Sequence, residues 1–428
     1  MALLIAVFSV FALTYAGLAS AASRVALRGT LLVIHADGRQ GVADVDFYLL
    51  KTRDGYLDLH FDRAPELKPN QGVLVSGVRK GRTLSVSHIE ATADAIAVAE
   101  TSKTLRTLIM PVSWPSAPAD WLTPSQAELQ VGDVDDAWYR ENSYGAVGMA
   151  ARATPWMAIA DPGSGCPLAE ILTGAEGAAA VHGFNPSAYD REMVYVPWTA
   201  SVCSGFAGFA VVGGRISWIL GEMDTRVTVH ELGHNLGLWH AHSLRCTDAG
   251  GQVSYGSTCD PFDEYGDLFD AMGAGFYGSG HFNAPQKKLL GWMAGHYIDV
   301  SPPLRSPLRV GLSPLETEGG LQALAIHADG TTFWVELREA VGVDSWLASY
   351  PGALAGVLVH IPQPSDGSNG SDLLDMTPNS VSGFWDAALP VGASYTDPSR
   401  SFTLQVRSTS LGGVTLVVRR PAGKRATG

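Results

Sequence analysis

The sequence predicts a multidomain α+β chain in which an α/β middle is flanked by a small N-terminal β unit and a C-terminal β-sandwich. Three observations predict it. Short strands with Gly-containing turns run from Val25 to about Ala99, helices and strands alternate from Leu105, and short strands return alone after Tyr297. With 428 residues, 46% of them hydrophobic, the chain has material for about three cores. The changes of texture place the units at residues 22–99, 104–297 and 303–420, behind a leader at residues 1–21.

Ala2 to Leu13 is apolar apart from Ser9, and Ala19-Ser20-Ala21 fits a signal-peptidase site, so cleavage is expected after Ala21 or Ala22. The positive charge ahead of the run is weak, which leaves an uncut N-terminal anchor as the alternative. The run is too short to span a bilayer comfortably, and no other segment approaches the roughly 18 apolar residues a span needs. The expected product is therefore secreted, extracellular and without a transmembrane anchor; a monomer is expected, although nothing in the sequence speaks to oligomeric state.

Within the first unit the strands are Leu31–Ile34, Asp46–Leu50, Tyr56–His60, Val73–Val75 and Leu84–Val86, with Asp37-Gly38 read as a turn. This suggests a small, barrel-like β unit without a chemical constellation, either a propeptide or a permanent binding module. Ala95 to Thr104 reads as a linker. The middle unit opens on a buried strand at Leu105–Val112, followed by helices over Thr123–Tyr139 and Ala169–His182. Strands follow at Met193–Val196 and Phe206–Leu220, the latter punctuated by Gly213-Gly214. The last unit offers strands at Gln322–Ile326, Thr332–Leu337, Gly356–His360, Phe402–Val406 and Val414–Val418, a pattern expected of a sandwich. His-Ala-Asp-Gly occurs at residues 35–38 and 327–330, too short a match to make a repeat.

Composition excludes one large class of function. The 29 Lys and Arg are outnumbered by 42 Asp and Glu, a net charge of −13, so there is no basic surplus to neutralise nucleic-acid phosphates. Arg419, Arg420, Lys424 and Arg425 read as a solvated end. The cysteines Cys166, Cys203, Cys246 and Cys259 would be oxidised in an exported chain. Three pairings are open; Cys166 with Cys203 and Cys246 with Cys259 is favoured, because the second pair closes a short loop rich in Gly and Asp. No C-x-x-C spacing points to a Cys-rich zinc site.

The most informative stretch is His230-Glu231-Leu232-Gly233-His234-Asn235-Leu236-Gly237-Leu238-Trp239-His240, which fits H-E-x-x-H-x-x-G-x-x-H. On a helix His230 and His234 stand one turn apart on one face, so two imidazoles can meet one ion. Glu231 lies about 100° further round, too far aside to ligate there yet near enough to serve a water as base. Gly237 can take a positive φ and end the helix, turning the chain back to bring His240 in as third ligand. Chance would produce this five-residue pattern roughly a few times in a hundred thousand such chains. His242 could compete as ligand, but the spacing favours His240.

Further on, Met272 stands in a Gly-terminated turn within Asp267-Leu268-Phe269-Asp270-Ala271-Met272-Gly273. Together with His230 to His240, Glu264-Tyr265-Gly266-Asp267, His281-Phe282-Asn283-Ala284 and Leu290-Gly291-Trp292, it resembles the gametolysin family of secreted zinc endopeptidases, within the metzincin clan. Looser similarity extends over about Leu105 to Val418, through Cys203–Gly208, Phe333–Arg338, Leu374–Pro378 and Asp386–Gly392. The resemblance implies a metzincin-like α/β zinc catalytic domain, with Met272 as an apolar floor beneath the metal. It also implies digestion of extracellular or cell-wall glycoproteins. Two departures stand out. No Tyr occurs two residues after Met272, and no Cys precedes Cys166, so a propeptide thiolate cannot cap the zinc and any latency must work otherwise.

The expected function is thus peptide-bond hydrolysis of protein or glycoprotein substrates at one Zn²⁺ held by His230, His234 and His240, with Glu231 as general base and acid. An extended substrate would pair with an edge strand, for which Phe206–Leu220 is the candidate. Two alternatives share the zinc site: a catalytically inactive adhesin or wall-binding protein, and a non-peptide metal-assisted hydrolase. The carboxylates Asp260, Asp263, Glu264, Asp267 and Asp270 could hold Ca²⁺, although no EF-hand spacing is present and Asp270 can equally brace the Met272 turn. Asp366 to Asp375 makes a weaker case for calcium. His281 either lines the cleft or is structural, and the structural role is favoured. Asn369-Gly370-Ser371 would accept a glycan only in a host with the machinery.

Overall fold

In the computed structural model the chain is described over residues 22–38, 42–93, 103–256, 258–260, 263–274, 278–363, 370–410 and 412–421. The leader, the linker apart from its last two residues, Asp366, Asn369, Lys424 and Arg425 lie outside the described residues. The described chain is mostly β with some helix.

The N-terminal unit is built on β1 (Ser23–Gly38), much longer than its apolar centre suggests, with β2 (Val45–Thr52), β3 (Gly55–His60), β4 (Gln71–Lys80) and β5 (Thr83–Ala93). The strands pair β2-β3-β5-β4-β1, and a further β1–β2 ladder closes the circle into a five-stranded barrel. Closure removes the exposed edges that so short a sheet would otherwise present. Leu31, Val33, Leu50, Leu57, Val73, Val75 and Leu84 fill its interior.

β6 (Lys103–Ser113) opens the middle region. Thr123 caps the next helix with a reciprocal capping box to Gln126, and helical structure runs through α1 (Pro124–Leu129), one π-helical segment (Gln130–Asp135) and α2 (Asp136–Asn142). Then come β7 (Val147–Ala153), the short β8 (Met157–Ala158), α3 (Leu168–Val181) and β9 (Arg191–Val196). The expected strand at Phe206–Leu220 is two antiparallel strands, β10 (Phe206–Val211) and β11 (Ile216–Leu220). Gly213 and Gly214 form the turn between them, which is why the apolar run is interrupted there.

These strands lie in the order β10-β11-β9-β6-β7, parallel except for β10. α3 packs over one face through Leu168, Ile171, Leu172 and Ala175, while α1, α2 and α4 (Thr225–Asn235) pack over the other through Ala127, Trp138, Tyr139, Val229 and Leu232. Cover on both faces explains why β9 is buried along its whole length.

β12 (Ala241–Leu244) follows His240 directly and belongs to a second sheet, pairing parallel with Gly370–Leu374. β13 (Cys246–Thr247) and β14 (Thr258–Cys259) form a small ladder, and α5 (Ala284–Leu289) follows. The second sheet continues through β15 (Tyr297–Val300), β17 (Ala323–Ala328), β18 (Thr331–Glu336), β19 (Gly356–Gln363), β20 (Gly370–Leu374) and β21 (Leu389–Pro390). A third sheet holds β16 (Leu308–Leu312), β22 (Ser394–Thr396), β23 (Thr403–Ser410) and β24 (Gly413–Arg419). Phe333, Val335, Val359 and Ile361 of one sheet share a core with Leu404, Val406, Leu416 and Val418 of the other, the arrangement of a sandwich.

Cys166 is bonded to Cys203 and Cys246 to Cys259, the favoured pairing. Among the described residues no helix is long and apolar enough to cross a membrane. Both facts are compatible with an extracellular protein.

Candidate metal centre

The centre begins at the N-cap of α4. Asp224 accepts from the backbone N–H groups of Arg226 and Val227 at 3.0 and 3.4 Å, which fixes where the helix starts and so which face its histidines present. The helix ends at Gly237, with φ of 98°. The Gly237 N–H donates to the His234 carbonyl at 2.8 Å and the Leu238 N–H to the Gly233 carbonyl at 3.1 Å, a Schellman closure. The chain then reverses and carries His240 back to the helix face. Asn235 clamps this end to the sheet, its amide donating to the carbonyls of Val211 and Ile216 at 3.1 and 2.9 Å.

The three histidines are buried and their Nε2 atoms converge. His230 Nε2 lies 3.1 Å from that of His234 and 3.3 Å from that of His240. Two nitrogens bound about 2.0–2.1 Å from one tetrahedral ion stand about 3.3 Å apart, so these separations fit a shared cation. Each ring is oriented from behind. Nδ1 of His230 donates to the Ala271 carbonyl, Nδ1 of His234 to the Leu238 carbonyl and Nδ1 of His240 to the Glu264 carboxylate, each at 2.8 Å. A donor role at Nδ1 leaves Nε2 as the lone-pair atom toward the metal. Replacing Glu264 by Gln is expected to lower zinc affinity by about 10–100-fold, measured by chelator competition.

Glu231 is buried beside the cluster, one Oε atom against Gly208 of β10, where a Cβ would stand 2.0 Å from it. Only glycine leaves room for that carboxylate. Glu231 Oε2 is buried with no hydrogen-bond partner. Burial and the neighbouring Asp37 carboxylate push the Glu231 carboxyl well above the usual range. Met272 lies beneath α4, its Sδ 2.5 Å from where a Cβ on Gly233 would be. Asp270 braces that turn, accepting from the N–H groups of Met272 at 2.7 Å and Asn283 at 2.6 Å.

Several other residues have roles the sequence left open. His242 turns away from the cluster, facing Asp372 at 3.1 Å and Glu264 at 3.5 Å. His281 is buried between Lys287 at 2.8 Å and Glu141 at 3.2 Å. The acidic run does not gather around one point: Asp267 faces His360, Asp270 holds the turn and Glu264 serves His240.

The N-terminal barrel, in which the sequence showed no chemical constellation, reaches the cluster through Asp37. Asp37 Oδ1 lies 2.9 Å from His240 Nε2, 3.4 Å from His230 Nε2 and 3.6 Å from His234 Nε2. Its other oxygen is buried with no hydrogen-bond partner. Burial alone would raise the Asp37 carboxyl, but the three imidazoles around it, His230 foremost, hold it well below the usual carboxylate range. The hydroxyl of Tyr265 donates to Asp37 at 3.0 Å and to Asp44 at 2.8 Å, and its ring lies 4.3 Å from that of His240. A tyrosine thus stands at the centre from a position ahead of Met272 in the chain. His35 packs edge-on to His240, the ring centroids 4.5 Å apart, while its Nδ1 meets Asp46 at 2.8 Å. The one sequence signal for Asp37 was Asp-Gly, a pair that marks turns far more often than ligands. Neither the protein-family models nor the curated proteins compared with the sequence match it.

Proposed function

We propose that this chain is a secreted, zinc-dependent endopeptidase with a metzincin-like catalytic domain, acting on extracellular or cell-wall proteins. The observation that carries the reading is the convergence of three Nε2 atoms, each ring locked through Nδ1, beside a buried carboxylate that makes no direct claim on the same point. His230, His234 and His240 would hold the ion. When bound, zinc supplies Lewis-acid polarisation of the scissile carbonyl and acidifies water beside it.

The rest is the work of the chain's own groups. Glu231, buried beside the three histidines, would take a proton from water and return it to the leaving amine. Gly208 gives that carboxylate its seat, and Met272 closes the apolar floor. The edge expected at Phe206–Leu220 is covered, because β10 pairs with β11 on one side and with β1 on the other, so an extended substrate would pair along β10 by main-chain hydrogen bonds only in place of β1.

The test compares the wild type with Glu231→Ala, each with and without its N-terminal unit, on denatured protein and a cell-wall glycoprotein extract. The expected result is about one zinc per chain in both proteins, with cleavage lowered by about 10²–10⁴-fold in the variant. Equal cleavage by the two would remove Glu231 from the mechanism.

One observation favours a second reading. With Asp37 included the centre has four protein ligands, the closed arrangement of structural zinc sites. An inactive adhesin would then hold zinc permanently, and wild type cut free of its N-terminal unit would still cleave neither substrate.

A further inference from the structure

We propose that the N-terminal barrel is a built-in inhibitor, with Asp37 as a displaceable fourth ligand of the metal and the end of β1 lying where substrate would lie. This rests on the endopeptidase reading and adds to it how the enzyme is kept silent.

Two independent features coincide. The first is the carboxylate: Asp37 Oδ1 is within 3.6 Å of all three histidine Nε2 atoms, so it stands where the fourth ligand of a tetrahedral ion belongs. The second is the strand. β1 runs antiparallel along the side of β10 away from β11, pairing Ile34 with Val211, His35 with Ala210, Ala36 with Phe209 and Gly38 with Phe206. The register slips between Ala36 and Gly38, where Asp37 alone faces Ala207 and Gly208, so the extra residue of the bulge lies in β10. Gly208 of that bulge lies against Glu231, so Asp37 stands opposite the seat of that carboxylate.

The same short segment therefore occupies the edge, the base and the metal together. A peptide substrate needs all three, so β1 and substrate exclude one another. The barrel is held over the centre by other contacts as well. Phe47 packs on Phe206 and Phe209, and the Asn70 amide donates to the carbonyls of Val212 and Gly213 at 3.0 and 2.9 Å. The Tyr265 hydroxyl, set between Asp37 and Asp44, holds the inhibitory carboxylate by a hydrogen bond. A chain with no cysteine before Cys166 has no thiolate for this task, and an aspartate is the alternative anion at hand.

The experiment uses the full chain loaded with Co²⁺, whose visible absorption reports ligand changes, and titrates it with a small peptide hydroxamate as metal-binding probe. A tethered ligand acts at an effective concentration of order mM or more. Asp37→Ala and the isosteric Asp37→Asn are therefore expected to bind the probe at least about tenfold more tightly than wild type and to shift the spectrum of the probe-free protein. Peptidase activity of both zinc-loaded variants is expected to rise by a similar factor. Should Asp37→Ala misfold, Asp37→Asn keeps the shape of the side chain and decides alone.

Unchanged spectra and equal probe affinity in wild type and variants would overturn the role of Asp37. Tighter probe binding without any cleavage would leave the capped metal standing and overturn the endopeptidase reading. A chain that binds no metal in any form would overturn both.

Discussion

Substituting His234 by alanine is expected to abolish stable zinc binding. His234 is fully buried on the helix face, its ring held by the Leu238 carbonyl, and its Nε2 is one of the converging atoms. Losing an outer hydrogen bond to a ligand costs about 10–100-fold in metal affinity, and losing the ligand itself is expected to cost more than that. Zinc at 100 times its Kd stabilises the folded state by about 2.7 kcal/mol. The wild type should therefore melt at a lower temperature after chelation, and His234→Ala should melt at the same temperature with or without zinc. Burial, with the neighbouring His230 and His240, holds the His234 imidazole down to about 3 against Asp37, so it stays neutral in the folded chain. One zinc retained by the variant after dialysis would take His234 out of the ligand set.

Arg338→Met is expected to destabilise the protein by about 3–5 kcal/mol at neutral pH. Arg338 is fully buried and contacts Glu316 at 2.7 Å, Glu336 at 3.3 Å and Asp344, and it also donates to the Phe269 carbonyl at 3.0 Å. Methionine keeps much of the volume but leaves three buried carboxylates without their cation. Burial, with Asp344 beside it, already pushes Glu316 well above its usual range even against Arg338. A carboxyl raised in the folded state contributes stability that is fully present below its unfolded value, about 4.3, and is lost as pH rises through the folded value. The loss in Arg338→Met should thus be largest near pH 7 and shrink toward about pH 4.5, as the orphaned carboxyls bind protons. Urea unfolding of both proteins at the two pH values measures it, and a penalty independent of pH would point to lost packing instead. The cluster lies beside the Met272 turn, because Arg338 meets the carbonyl of Phe269, so this variant also tests how far the turn depends on the sandwich.

Much of the centre was legible in the sequence because its parts are local. His230, Glu231 and His234 fall on one helix, and helical geometry alone puts the two imidazoles on one face. Gly237 announces the reversal that returns His240, and the φ of 98° found there is the conformation that favours glycine. Met272 and Asp270 were readable by resemblance. The strands of the barrel and the sandwich were readable as short alternating runs, although their ends were not. β1 runs through the Asp37-Gly38 pair read as a turn, because its last residues pair with β2 on one side and β10 on the other.

What the sequence determined by itself is the three-histidine constellation, the carboxylate of Glu231 beside it and the texture of three units, since each depends on residue type and on spacing over about a dozen residues or fewer. What only the tertiary structure decided is that Asp37, more than 190 residues ahead of His230, meets the same point in space, and that Tyr265 stands behind it. The physical reason is that a ladder register and a ring of converging ligand atoms are set by long-range pairing, here β1 along β10. No local pattern of side chains encodes which edge a strand will find.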